Sequence, residues 1–297
     1  MLKEIKEKMP NWCTDTETKY QLMMSDDIDA LMCYLFQKLK FGRECEYFVD
    51  MSSNKAYKNY TGTINRKGTQ TLYATSEATM KKSNTLALDI SLNKDIKAWD
   101  NHIVQLSKNE TNYNKLSANM NIVTNINKSN YTSKFCISTF ITLLSYYETD
   151  ITKWDKDQLA LTCAIDSTYY PFGGNFEATA TKNLKVLGFD FLIPFIKENR
   201  NYIEQIDNKY LKNKNIWVGK DGYLETNLDL NKISELFNCP IELPSKQFSK
   251  FGQVTSQVFN AKSFTDKNHL EEFYEKKIFN IALLYKDSGI VSFIENK

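Results

Sequence analysis

The amino-acid sequence predicts an α/β protein: a mostly parallel sheet flanked by helices, followed by a smaller C-terminal α+β domain. Three observations point there. Short apolar runs of strand length at residues 20–24 and 84–89 stop at acids, and a third, 96–104, carries Asp100 and His102 within it. Helix-period patterns are interleaved with these runs, the alternation expected of parallel strands joined by crossover helices. Downstream of residue 222 the pattern changes to a short capped helix, a strand, another helix and a hairpin, the mix of a small α+β unit.

Along the chain, residues 1–17 form a charged lead-in with at most a short helical stretch. Residues 20–24 read as a buried strand, and Ala30, Leu31, Tyr34, Leu35 and Leu39 recur with helical spacing directly afterwards. The strand therefore enters the helix through an acidic turn. Residues 44–49 supply a second strand, and the polar stretch 52–79 is expected to hold strand fragments such as 71–74 between loops. The runs at 84–89, 96–104 and 120–123 add further strands. Residues 132–147 open on Thr and Ser and continue with apolar residues at helical spacing; 155–165 forms another helix, closed by Asp166. A helical pattern then spans 183–211. Gly219 and the Asp221-Gly222 turn mark a linker, which divides the chain into domains 1–212 and 213–297. In the second, 228–237 and 266–279 read as helices, 253–259 as a strand, and 281–285 with 289–294 as a hairpin about Lys286-Asp287-Ser288-Gly289.

Composition narrows the function. With 297 residues, 42% of them hydrophobic and 25% charged, the chain has ordinary globular makeup and length for one large or two smaller domains. Its 38 Lys and Arg against 36 Asp and Glu leave a formal charge of +2, which predicts no broad electrostatic footprint for duplex nucleic acid. The six cysteines, at 13, 33, 45, 136, 163 and 239, include no CxxC pair and no zinc-like spacing, and are expected as reduced core thiols. The charged N-terminus lacks the apolar core of a signal peptide, and no run approaches the ~20 apolar residues of a membrane helix. A cytoplasmic protein without a membrane partner is expected.

Acids recur where loops of a parallel sheet converge. Asp26, Asp27 and Asp29 crowd the first turn without a nearby Lys or Arg; they read either as helix-capping acids or as ligands of a divalent cation that removes their repulsion. Asp89, Asp100 with His102, and Asp166 likewise stand at the ends of apolar segments. If those ends share one crevice, the resulting oxygen-rich set with one imidazole suits Mn2+ or Mg2+, and two such ions ~4 Å apart would clamp a phosphoryl group. Bland readings stand beside these: Asp89 as a turn residue, His102 as a histidine satisfied by its neighbour, Tyr169 as a core ring rather than a stacking platform. Lys209, Lys212, Lys214 and Lys220 read as a solvated face or as phosphate contacts. No GxSxG or phosphate loop occurs, which argues against covalent catalysis.

The order of these motifs resembles the DHH phosphoesterase superfamily, named for its Asp-His-His motif. Ser25-Asp26-Asp27-Ile28-Asp29-Ala30 matches the family's DxD followed by a small residue, Asp89 its single second-motif acid, Asp100-Asn101-His102 its third motif, and Asp166-Ser167-Thr168 its fourth. The resemblance covers residues 20–170. It implies that Asp27 holds one ion, Asp29 and Asp166 the other, and Asp89 bridges them, with Asn101 at the position of a metal-binding His. Asp100 and His102 would orient ligands or the leaving group, and the C-terminal unit would correspond to a substrate-binding domain. The implied activity is that of a metal-dependent phosphodiesterase. It would cleave a small nucleotide, cyclic dinucleotide or short single-stranded oligonucleotide with a water activated by one or two Mn2+ or Mg2+ ions. Two departures, Asn101 and the absence of a His among Leu22, Met23 and Met24, motivate an alternative: a non-catalytic protein of the same fold that binds a nucleotide or a protein partner. Homodimerisation is left open.

Overall fold

The computed structural model describes residues 1–51, 67–93 and 96–294; the expectation for 52–66 lies outside them. After a helical turn at Lys3–Lys6 and a 3-10 segment at Asn11–Thr14 come β1 (Gln21–Met24), α1 (Ile28–Phe41), β2 (Cys45–Asp50), β3 (Lys67–Ala74), β4 (Thr85–Leu88), β5 (Lys97–Asp100) and β6 (Ser117–Asn119). Four helices follow, α2 (Thr139–Tyr146), α3 (Lys156–Ala164), α4 (Glu177–Leu187) and α5 (Leu192–Ile206). The remainder comprises β7 (Ile216–Val218), β8 (Leu224–Thr226), α6 (Leu230–Phe237), β9 (Ser249–Asn260), α7 (Lys267–Tyr274), β10 (Lys277–Tyr285) and β11 (Ser288–Ile294).

Nine strands make one mixed sheet in the order β10-β11-β9-β3-β2-β1-β4-β5-β6. From β2 to β6 neighbours run parallel; from β2 through β3, β9 and β11 to β10 they run antiparallel. Residues 213–297 supply β7 and β8, which pair with each other, and β9, β10 and β11, which extend the large sheet through β3. Among the described residues no helix is long and apolar enough to cross a membrane.

The strand alternation sorts side chains to two faces. Leu22, Met24, Leu86, Leu88 and Trp99 pack into the helical core with Leu31, Leu35 and Ile141, while Met23, Ala87 and Ala98 face the opposite side with Leu92 and Phe279. Each fully buried Leu or Met contributes about 1.5–3 kcal/mol. Trp99, buried edge-on against Trp12 at 5.7 Å and Tyr146 at 5.2 Å, anchors β5 immediately before Asp100. At the end of α1, Gly42 takes φ 62°, and its N–H donates to Lys38 O at 2.8 Å, a left-handed cap that favours glycine.

The antiparallel half curls back over the ends of the parallel strands. Register shifts in β3 between Leu72 and Tyr73 and in β10 between Ile278 and Asn280 bend it. Consequently the edge of β10 meets the segments leaving β4 and β5: Asn93 N–H donates to Phe279 O at 2.9 Å, Ile281 N–H to Ser91 O at 3.2 Å and Leu283 N–H to Ile103 O at 2.9 Å. Gly289 permits the hairpin to lie this close, since a Cβ there would stand 2.6 Å from Ala282 O and 2.7 Å from the Phe259 ring.

Several expected boundaries move. Residues 120–123 form a helical turn, Met120–Val123, because the Asn119 side chain accepts from Asn121 N–H and turns the chain out of β6. The helix expected from 132 starts at Thr139, where Ser138 caps Ile141 N–H; Lys128–Ser133 is a 3-10 segment closed by an Asn127–Asn130 capping box. The pattern over 183–211 is interrupted by Gly188 at φ 73°, which ends α4 before α5 begins. The helix expected over 266–279 stops at Tyr274, where Glu275 turns left-handed and Lys277 enters the pairing with β11.

Candidate metal centre

The crevice follows from strand order. The chain leaves β1 toward β2 on one side, whereas β4 lies on the other, so the carboxyl ends of β1 and β4 flank a topological switch point. Met24 is followed there by Ser25, Asp26 and Asp27, and Leu88 by Asp89. β5 ends one strand further on at Asp100.

Asp27 caps α1, accepting from Ala30 N–H at 3.0 Å through Oδ1. Asp29, in the first turn, looks away from its own helix terminus: its oxygens accept from Thr139 N–H at 2.7 Å and Phe140 N–H at 2.8 Å, so it caps α2 from outside. Thr139 Oγ1 donates to Asp89 Oδ1 at 2.7 Å and thereby ties the second acid to the same helix. Asp89 itself has φ 56°, a left-handed turn that Asp tolerates better than most residues, with its N–H on Trp99 O at 2.8 Å.

Asp166 approaches from the helical layer. Asp166 and Ser167 both adopt left-handed backbone, φ 49° and 50°, at a cost of roughly 1–2 kcal/mol each. Asp207 holds this turn, accepting from Ser167 Oγ at 3.2 Å and from Tyr169 Oη at 3.1 Å. Tyr169 is therefore a buried structural ring and offers no stacking face, whereas Tyr170 beside it is exposed. Asn101 Nδ2 donates to Asp166 Oδ2 at 2.7 Å, so that Asn101 presents its amide hydrogens, not its oxygen, to this acid.

His102 is oriented from behind. Its Nδ1 lies 2.7 Å from Asp100 Oδ1, while Asn119, opposite Asp100 in the β5–β6 register, donates through Nδ2 to Asp100 Oδ2 at 2.8 Å and to His102 O at 2.7 Å. Asn121 braces the loop with its amide on Asn101 O at 2.6 Å. Potential ligand atoms of Asp89, Asp100 and His102 lie within 4.8 Å of one another.

Electrostatics joins these groups. Burial first, then the charge of Asp89, pushes the Asp27 carboxyl up to about 7, with Asp166 adding to the effect. Burial, Asp166 and Asp27 raise Asp29 against the two helix amides, and burial and Asp29 raise Asp89. For His102 burial acts downward but is outweighed by Asp100, Asp89 and Asp166, and the imidazole rises to about 10. The charges of Asp27, Asp29, Asp89, Asp166 and His102 thus influence one another, but among the described residues no group of three with ligand atoms within 4.8 Å includes Asp27, Asp29 or Asp166, and Asp166 is exposed. Among the described residues none of the four acids forms an ion pair with Lys or Arg. One carboxylate oxygen each of Asp27, Asp89 and Asp166 accepts the bonds above, which leaves the other to a cation; Asp29 has both engaged.

No protein-family profile, curated protein or solved structure matches the chain. The contributions of Thr139, Asn119 and Asn121 escaped the sequence reading. Ser138-Thr139 ahead of an apolar helix is a capping signal that could have located the first; the asparagines carry no comparable local signature.

Proposed function

We propose that this crevice binds one or two Mn2+ or Mg2+ ions and hydrolyses a phosphodiester in a small nucleotide, cyclic dinucleotide or short single strand. The observation that carries the reading is the gathering of Asp27, Asp29 and Asp89 at a sheet switch point, with Asp166 facing them from the helical layer and no Lys or Arg ion-paired to the four among the described residues. The donor set fits such ions: several carboxylate oxygens with one imidazole, in place of a thiolate-rich set. Asp27, Asp89 and Asp166 would hold them, with Asp29 supporting the set from the α2 terminus. When bound, the ions would lower the pKa of a water and draw charge from the phosphoryl oxygens.

The chain's own residues do the rest. With Nδ1 engaged by Asp100, Nε2 of His102 is the ring atom left to meet a phosphoryl or leaving-group oxygen, and Asp100 with Asn119 keeps the ring in that orientation. The antiparallel hairpin lines one side of the crevice through Asn280, Ala282, Leu284 and Ile290. The order of motifs, resembling that of DHH phosphoesterases, supports the same chemistry.

One observation favours the non-catalytic alternative, in which the crevice binds a nucleotide or protein partner: Asn101 already offers Asp166 a hydrogen-bond donor, partly relieving the charge a cation would neutralise. Assaying the purified protein with Mn2+ against short oligonucleotides, cyclic dinucleotides and pyrophosphate, beside Asp29→Ala and Asp89→Ala, separates the two. Metal-dependent cleavage lost in both variants is expected. No turnover on any substrate, or turnover indifferent to both substitutions, would retire the enzyme reading.

A further inference from the structure

Where the curled hairpin closes over the acids, it leaves a cavity of about 140 Å3, bounded at one end by Asp27, Asp89 and His102. The other end is built from different material. Residues 280, 282 and 284 of β10 share one strand face, and Asn280, Ala282 and Leu284 line the space with Met51, Ile90 and Ile290. Gln70 from β3 also lines it. A cavity near 150 Å3 accommodates one benzene-sized ring, so this one takes a single ring and not two linked ones.

Two buried amides sit in it. Gln70 and Asn280 are each 3% exposed, and Asn280 Nδ2 donates to Gln70 Oε1 at 3.1 Å. That bond spends one donor and one acceptor, while Gln70 Nε2 and Asn280 Oδ1 carry no hydrogen bond among the described residues. Turning both amides over leaves the same count, one donor and one acceptor, on the same pair. The register shift beside Phe279 places Asn280 here, and side chains are commonly re-aimed by such shifts next to functional sites. Neither Gln70 Nε2 nor Asn280 Oδ1 is sealed from solvent, so in the cavity each can be met by water or by a ligand of matching chemistry.

We infer that this cavity is a recognition slot for one nucleobase, whose adjacent donor and acceptor are read by Gln70 and Asn280 while its phosphate lies toward His102 and the acids. The match is the one by which side-chain amides read a base edge elsewhere: one donor and one acceptor side by side, over an apolar floor that takes the ring face. The inference rests on the proposed function for the placement of the phosphate, but recognition of the base does not need a metal. It makes Gln70 and Asn280 specificity-determining residues and gives ring-free substrates such as pyrophosphate no purchase in the slot.

The test therefore uses probes without phosphate. Binding of adenosine, guanosine, cytidine, uridine and ribose to the full-length protein is measured by ligand-observed NMR, for the native chain, Asn280→Leu and Ile290→Trp, which fills the slot from its half-exposed side. Cytidine or uridine, whose bases are single rings, should bind at least about tenfold more tightly than ribose and lose that advantage in both variants, with adenosine and guanosine as two-ring controls. If neither cytidine nor uridine binds better than ribose, or the preference survives in Ile290→Trp, the inference is overturned. Mn2+-dependent hydrolysis of bis(p-nitrophenyl) phosphate is measured in parallel. Nucleoside preference upholds the slot whether or not the diester is cleaved, the phosphodiesterase reading being decided by the panel of oligonucleotides, cyclic dinucleotides and pyrophosphate, whereas hydrolysis without preference overturns the slot alone.

Discussion

Glu46 and Asp89 lie at similar depth, 3% and 6% exposed, in neighbouring parts of one sheet. Glu46, on β2, is met by the Lys246 ammonium and the Thr75 hydroxyl, and Lys246 reaches on to Glu77 at 2.8 Å. Asp89 meets a threonine hydroxyl and, beyond it, further acids and one imidazole. Burying a carboxylate costs several kcal/mol unless it is paired, so the first cluster is complete within the chain and the second is not. The contrast motivates the proposed function: around Asp89 the one positive group the fold supplies is the His102 imidazole, itself tied to Asp100, and a cation from solution would offset the remaining acids.

Substitutions sharpen this comparison. Lys246→Met should have the largest effect, about 3 kcal/mol of stability and a melting point lower by about 6–10 °C, because it leaves Glu46 buried and unpaired. Calorimetry or thermal fluorescence reads it, and metal should not restore the loss. Next, Asp100→Asn should lower Mn2+-dependent turnover about 10–100-fold, because a neutral amide removes the charge beside His102 and leaves one oxygen where the imidazole and the Asn119 amide need two, with the melting point of the metal-free protein little changed. Asp27→Asn should act in the opposite sense to Lys246→Met. Asn can still cap Ala30 N–H while removing one repelling charge, so the metal-free protein at about pH 8 should melt about 2 °C higher and gain less from Mn2+. A lower melting point for that variant would break the comparison.

The two halves of the sheet also differ in how far they could be read from residues. In the parallel half β1, β4 and β5 are short apolar runs that stop at candidate acids, so Asp27, Asp89 and Asp100 stand out before any coordinates do, and Asp166 stands out at the end of an apolar helical segment. Their meeting is a consequence of strand order, which local patterns suggest through alternation with helices. The antiparallel half offers no such signal. The pairing of Thr69 with Thr255 and of Leu72 with Gly252 joins segments some 180 residues apart, and nothing in either segment names the other. For the same reason Gln70 and Asn280, ordinary polar residues in their own strands, become a pair only when the sheet curls. Helix starts were displaced where a cap outcompeted propensity: Ser138 in place of Ser133, and Gly188 inside an otherwise continuous helical pattern.

The central claim is that divalent cations cancel the repulsion of the buried acids, and thermal stability across pH tests it most directly. Burial and Asp89 lift Asp27 from 3.8 to about 7, and Asp29 and Asp89 are raised as well, so the folded protein binds more protons than the unfolded chain over this window. That contribution is complete below about pH 4 and is lost as pH rises through about 7. In EDTA the melting point should therefore fall between about pH 5 and pH 8, and the increment from added Mn2+ should grow over the same range as the ion replaces protons. A melting point that neither Mn2+ nor Mg2+ shifts at any pH would contradict the account.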